Sequence, residues 1–153
     1  MGAAGRVSQR VMVGAAIVLA LTASAPSWAQ RNNNRTCMPA ASGRAVVSVP
    51  NSPVGLIVGQ IANGDAATVA RVRDTCQREL RSGPNRAHNL EAYMCVGQAT
   101  LRLAELEPSS REQNYRCAVN VYQVTADAAG RAGASASVVR GDAHARRAET
   151  LLA

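Results

Sequence analysis

The stretch from Asn85 to Gly130 limits the fold of this chain more than any other. Apolar residues recur there at helical spacing on both sides of Pro108-Ser109-Ser110, so the stretch reads as two helices turned back on each other. In the first, Leu90, Tyr93 or Met94, Gly97, Leu101 and Ala104 form one stripe, and Ala92, Val96, Ala99, Leu103 and Leu106 form a second. A helix apolar on more than one face packs on more than one side, which makes this the expected central helix. Asn85 is its expected N-cap and Pro108 its stop. Ser109 and Glu112 stand at capping-box spacing before the next helix. That helix carries Tyr115, Ala118, Val119, Tyr122 and Ala126 on one stripe, Cys117, Val121, Val124 and Ala128 on the adjacent one, and ends at Gly130 and Gly133.

Upstream, Ser52-Pro53 is a helix start, followed by Val54, Ile57, Val58 and Ile61 at helical spacing and by an Asn63-Gly64 stop. Gly55 and Gly59 each weaken that helix by about 1 kcal/mol. A hairpin of residues 45–49 with 56–61 competes with it. The β-branched run Ala45–Val49 has no clear partner strand and is expected as extended coil. Asp65 caps a further helix to about Arg81, with Val69, Val72, Cys76 and Leu80 as its buried stripe. Ser82-Gly83-Pro84 ends it, Gly83 supplying a left-handed C′ position. A last helix from about Ser135 to Leu152 presents Val138, Val139, Ala145, Ala148, Leu151 and Leu152. The expected fold is therefore all-α: a small stack of antiparallel helical hairpins, about four to five helices, with a disulfide-tethered irregular N-terminal segment.

Residues 1–29 have the pattern of a cleaved export signal peptide. Arg6 and Arg10 precede the apolar run Val11–Leu21, and Ser27-Trp28-Ala29 is a small-x-small end before Gln30. The run is shorter than the roughly 20 residues of a membrane span. Cleavage would remove Trp28, the sole tryptophan. Residues 30–51 then form a flexible or extended leader, and 52–153 the helical domain.

Cys37, Cys76, Cys95 and Cys117 all follow the signal. An even number of cysteines in an exported chain reads as two disulfides, with three connectivities open. Folding about Ser109 puts Cys117 opposite a position about five residues from Cys95, an axial offset of roughly 7 Å, near the limit of a disulfide. Folding about Gly83-Pro84 gives Cys76 and Cys95 a similar offset. Cys37–Cys76 with Cys95–Cys117 is the preferred pairing, because the first bond also anchors the leader.

The 17 basic residues are all Arg, beside abundant Ala, Gly and Val, which reads as GC-rich codon usage. The formal net charge of +7 falls to +5 once Arg6 and Arg10 leave with the signal. Asp74 with Arg78, Glu112 with Arg116, and Asp142 with Arg146 stand at i,i+4 and read as solvated helix faces. With 3% aromatic residues and no nucleic-acid module, nucleic acid is not an expected partner.

Ala104-Glu105-Leu106-Glu107-Pro108, preceded by Ala92-Tyr93 and Gly97, resembles the helix-ending segment of a tetratricopeptide repeat. The resemblance covers about a quarter of the chain, with no second copy at the period of about 34 residues. It implies stacked helical hairpins of the kind that hold partner peptides or proteins on a concave face, and carries over no functional residue.

Missing chemistry narrows the function. Without Lys there is no P-loop lysine, Schiff base or Ser-x-x-Lys acylation. No H-E-x-x-H or C-x-x-C occurs, and His88 and His144 are not spaced as metal partners, so no metal or cofactor is expected. Gly133-Ala134-Ser135-Ala136-Ser137 lacks the last glycine and the strand of a nucleophile elbow. Glu105 and Glu107 point in different directions on a helix. His88 is expected at the surface, His144 lies among Arg140, Arg146 and Arg147, and Tyr93, Tyr115 and Tyr122 have core spacing. No catalytic residue is assigned. The expected function is a non-catalytic interaction or structural module in the envelope of a Gram-negative bacterium, periplasmic or secreted, binding another envelope protein through a groove between helices. The alternatives are a small envelope enzyme whose site carries no known motif, and attachment to anionic envelope polymers or a membrane surface through Arg140, Arg146 and Arg147.

Overall fold

From Ala66 onward each helix packs against the next one along. The computed structural model describes Cys37, Met38 and residues 40–153; the expected signal and the first seven residues of the leader lie outside them, as does residue 39. The elements are β1 (Ala45–Val46), α1 (Val54–Ile57), α2 (Gln60–Asn63), α3 (Ala66–Arg78), β2 (His88–Asn89), α4 (Leu90–Leu106), α5 (Arg111–Ala132) and α6 (Ser137–Leu152). Short 3-10 turns at Glu79–Arg81, Pro84–Arg86, Pro108–Ser110 and Ala134–Ala136 join the later helices. The pairs α3–α4, α4–α5 and α5–α6 pack as successive hairpins. The fold is the all-α hairpin stack expected.

Helix α4 is central. Leu90, Ala92, Tyr93, Met94, Cys95, Val96, Gly97, Ala99, Thr100, Leu103 and Ala104 are all buried, so every face of the helix is covered along part of its length. Val54, Ile61, Val69, Val72 and Cys76 share its main core with Val121, Val124 and Ala128 of α5. A smaller core of Met94, Ala118, Tyr122, Ala126 and Ala143 joins α4, α5 and α6.

The irregular segment before α1 is a strap. Cys37 is bonded to Cys117, and the Met38 amide donates to Asn120 Oδ1 at 3.2 Å. The Arg131 guanidinium donates to the Ala41 carbonyl. The segment then crosses to the head of α4, where β1 pairs in parallel with β2, Ala45 beside His88 and Val46 beside Asn89. The extended coil expected at 45–49 is thus a short strand at its start, and the competing hairpin with 56–61 does not form.

Other local expectations are corrected. The helix expected after Ser52-Pro53 is broken into α1 and α2 at Val58-Gly59. Asp65 does cap α3, its carboxylate accepting from the Thr68 amide at 2.8 Å. Gly83 is not left-handed, with φ −65°. It is required by close approach, since a Cβ there would lie 2.8 Å from the Ala87 carbonyl oxygen and 3.1 Å from Val46 Cγ2. Asn85 and Arg86 take the left-handed conformations instead, so α4 starts at Leu90 after Asn89 rather than after Asn85. The turn Pro108–Ser110 moves the N-cap of α5 from Ser109 to Ser110. That shift breaks the Ser109–Glu112 register, and Ser110 Oγ donates to Glu107 at 2.9 Å. Asp74 pairs with Arg73 at 3.2 Å rather than with Arg78. On α6 the exposed residues include Val138, Ala145, Ala148, Leu151 and Leu152, whereas Ala143 and Thr150 are buried and Val139 is half-buried; Ala136, in the turn before α6, is buried as well. Small side chains let α6 approach Tyr122, and the Thr150 hydroxyl is satisfied by the Arg146 carbonyl at 2.7 Å.

The cysteine pairing is also corrected. The bonds are Cys37–Cys117 and Cys76–Cys95, with Cα separations of 5.1 and 6.1 Å. Cys76 lies five residues before the end of the turn that extends α3, and Cys95 five residues after the start of α4, so the two stand level. Cys95 is 11 residues from the end of α4 and Cys117 only 6 from the start of α5. That mismatch of about five residues is an axial offset of roughly 7.5 Å. Cys37, exposed, and Cys117, half-buried, form the outer bond, whereas Cys76 and Cys95 are fully enclosed. Peptide mapping of the unreduced protein will recover Cys37–Cys117 and Cys76–Cys95, and mild reduction with alkylation will label Cys37 and Cys117 first.

Candidate functional site

Glu91, Met94 and Gln98 stand at i, i+3 and i+7 on α4 and therefore share a face. Helix α6 rests mainly on α5 and only touches α4. A trough of about 550 Å³ stays open between α4 and the first turns of α6, lined by those three residues, by Val138, Val139 and Asp142, and by Val47 and Ser48 of the strap. Met94 and Val139 belong to the small core beneath it, while Val138 and Val47 are exposed. Asp142 reaches Arg146 at 3.8 Å, an exposed pair of little energetic weight. Glu91 has no ion pair among the described residues. The Glu91 amide donates to the Val47 carbonyl at 3.0 Å, which fixes the strap end of the trough.

The helix spacing behind the trough is set by Gly97 and Tyr122. A Cβ at Gly97 would stand 2.6 Å from the Tyr122 ring, so only glycine admits the ring against α4. The Tyr122 hydroxyl is buried and without a hydrogen-bond partner among the described residues. Burial pushes its pKa up to about 12, against the pull of Arg146 and with a small push from Asp142 and Glu149.

His88 is buried rather than at the surface. Its Nδ1 lies 2.6 Å from the Tyr93 hydroxyl and its Nε2 lies 2.7 Å from the Ser42 carbonyl. The partners fit a tautomer in which Nε2–H donates to Ser42 and Nδ1 accepts from Tyr93. The Arg81 guanidinium stands 3.2 Å from the same Nε2. Burial raises the Tyr93 pKa, with Arg81 and Arg131 opposing. This cluster pins the strap to α4, with His88 and Tyr93 buried and Ser42 and Arg81 at its exposed edge. Its sequence signal is the polar run Asn85-Arg86-Ala87-His88-Asn89, which carries no apolar helical stripe before Leu90.

The remaining candidates are dispersed. Arg140 lies over Gly130 and shares with Ser137 and His144 a hollow walled by Gly133 and Gly141. Arg146 is engaged by Asp142 and by Glu149 at 3.4 Å. Arg147 is half-buried, its Nε unpartnered. Glu105 pairs with Arg102 and Glu107 accepts from Ser110. Tyr115 is only half-buried. No group of three metal-ligating side chains occurs among the described residues, and none of their helices is long and apolar enough to cross a membrane. The two disulfides imply an oxidising, extracytoplasmic environment. Comparison with known proteins finds no matching family model, curated protein or solved structure.

Tyr122 separates packing from hydrogen bonding in one set of variants. Tyr122→Phe removes an unpartnered hydroxyl and will be as stable as the parent or slightly more so at pH 8. Gly97→Ala forces the ring away and will lose about 1–3 kcal/mol. The unfolded tyrosine ionises near pH 10 and the folded one near 12, so Tyr122's contribution is full below pH 10 and lost as pH rises through 12. Urea unfolding between pH 8 and 12 checks both points, with Tyr122→Phe losing about 2–3 kcal/mol less than the parent across that range.

Proposed function

We propose that this chain is an exported, non-catalytic interaction module of the cell envelope, binding a partner protein through the trough between α4 and α6. The observation that carries the reading is the trough itself. Helix α4 is enclosed almost everywhere, yet Val47, Met94, Val138 and Val139 line an opening of about 550 Å³ along its one accessible edge. Contiguous apolar lining with a polar rim is the usual character of a recognition surface. Two disulfides and the export-signal pattern of residues 1–29 favour the periplasm or the secreted fraction of a Gram-negative cell. The hairpin stack is also in keeping with the resemblance to repeat proteins that hold partner peptides or proteins on a concave face.

Site-specific photocrosslinking in intact cells tests this. Crosslinkers at Val138 or Gln98, both lining the trough, will capture one discrete envelope protein. A crosslinker at Gln77, exposed on α3, will not. The same adducts from all three positions, or none from Val138 and Gln98, would overturn the reading.

A further inference from the structure

The trough differs in charge from two other hollows among the described residues. The hollow at the α5–α6 turn carries Arg140 and His144, and the one beside the strap carries Arg131 against Asp127. The α4–α6 trough has two carboxylates, Glu91 on α4 and Asp142 on α6, with no basic side chain in its lining. Its other walls are Val47, Ser48, Met94, Gln98, Val138 and Val139. In a chain of formal net charge +7, such a local acidic lining runs against the overall sign. A basic partner segment is disfavoured by the net positive charge of the chain and attracted by these two carboxylates, so charge selects the position of docking as well as the partner.

We propose, resting on the reading of the trough as an interaction site, that it takes a basic–aliphatic peptide segment of the partner. An Arg or Lys side chain is held by Glu91 and Asp142, while flanking aliphatic side chains rest on Met94, Val138 and Val139. The volume falls within the range of roughly 300–1,000 Å³ typical of ligand pockets, enough for a few side chains of a short segment. Asp142 exchanges its long contact with Arg146 for the incoming cation at little cost, because that pair is exposed. Glu91 also sits in the first turn of α4, where negative charge favours the helix. Peptide binding therefore has to be the readout, with folding of each variant verified by thermal unfolding.

Fluorescence anisotropy with three labelled pentapeptides tests the proposal: Leu-Arg-Val-Arg-Leu, Leu-Gln-Val-Gln-Leu and Leu-Glu-Val-Glu-Leu. The basic peptide will bind about tenfold tighter than the neutral one, and the acidic peptide weakest of the three. Glu91→Gln with Asp142→Asn will reduce the basic peptide to the affinity of the neutral one, and Val138→Asp will weaken binding of the neutral peptide. Equal binding of basic and neutral peptides, lost in Val138→Asp, would overturn the charge preference while leaving the trough as an interaction site. Binding of the basic peptide unchanged by Glu91→Gln with Asp142→Asn would overturn it by placing the cation elsewhere. No binding by any of the three would overturn both the proposal and the reading on which it rests.

Discussion

The enclosure of α4 is the constraint on which the rest of the structure depends. A 17-residue helix with eleven buried positions needs neighbours on several sides, and each neighbour is secured by a different device. Helix α3 is tied to it by Cys76–Cys95. Helix α5 is brought close by Gly97, whose missing Cβ leaves room for the Tyr122 ring. The strap is held at its head by the β1–β2 pairing and by His88 between Tyr93 and Ser42. Covalent, steric and hydrogen-bonding constraints thus converge on one element. A domain with no Phe and little aromatic mass fills its core with Val, Leu, Ala and the Cys76–Cys95 pair, and the disulfides add the loop-closure stabilisation that such a small core lacks.

The same arrangement leaves the trough open. Tyr122 occupies the space between α4, α5 and α6, and α6 leans on α5 through Ala143 rather than closing over α4. The edge of α4 that bears Glu91, Met94 and Gln98 is therefore covered only from below. The surplus apolar surface legible in the 85–107 segment is mostly consumed inside the protein. What remains for a partner is a smaller and more acidic site than periodicity alone suggests.

The central helix, its stop at Pro108, the Asp65 cap and the all-α class were legible because they follow from local periodicity and capping chemistry. The disulfide pairing was not, because it depends on how residues 79–89 are traversed. Two 3-10 turns, two left-handed residues and a short strand bring Cys76 level with Cys95, and none of these has a strong local signal. His88 looked like a surface residue because its partners come from Ser42 and Arg81, 46 and 7 residues away. The trough draws on three separate segments, so its carboxylates could not be brought together on the page of sequence. The Asp142–Arg146 pair was legible from its i,i+4 spacing, and Arg146 also reaches Glu149 on the same helix.

If α4 is the element that everything else encloses, its amides open last. Native-state hydrogen exchange measures this directly, since each amide reports the free energy of the smallest opening that exposes it. The account predicts that residues 94–104 exchange only through global unfolding, with one common free energy, while residues 145–152 of α6 exchange through smaller openings. Protection in α4 equal to or below that in α6 would contradict it.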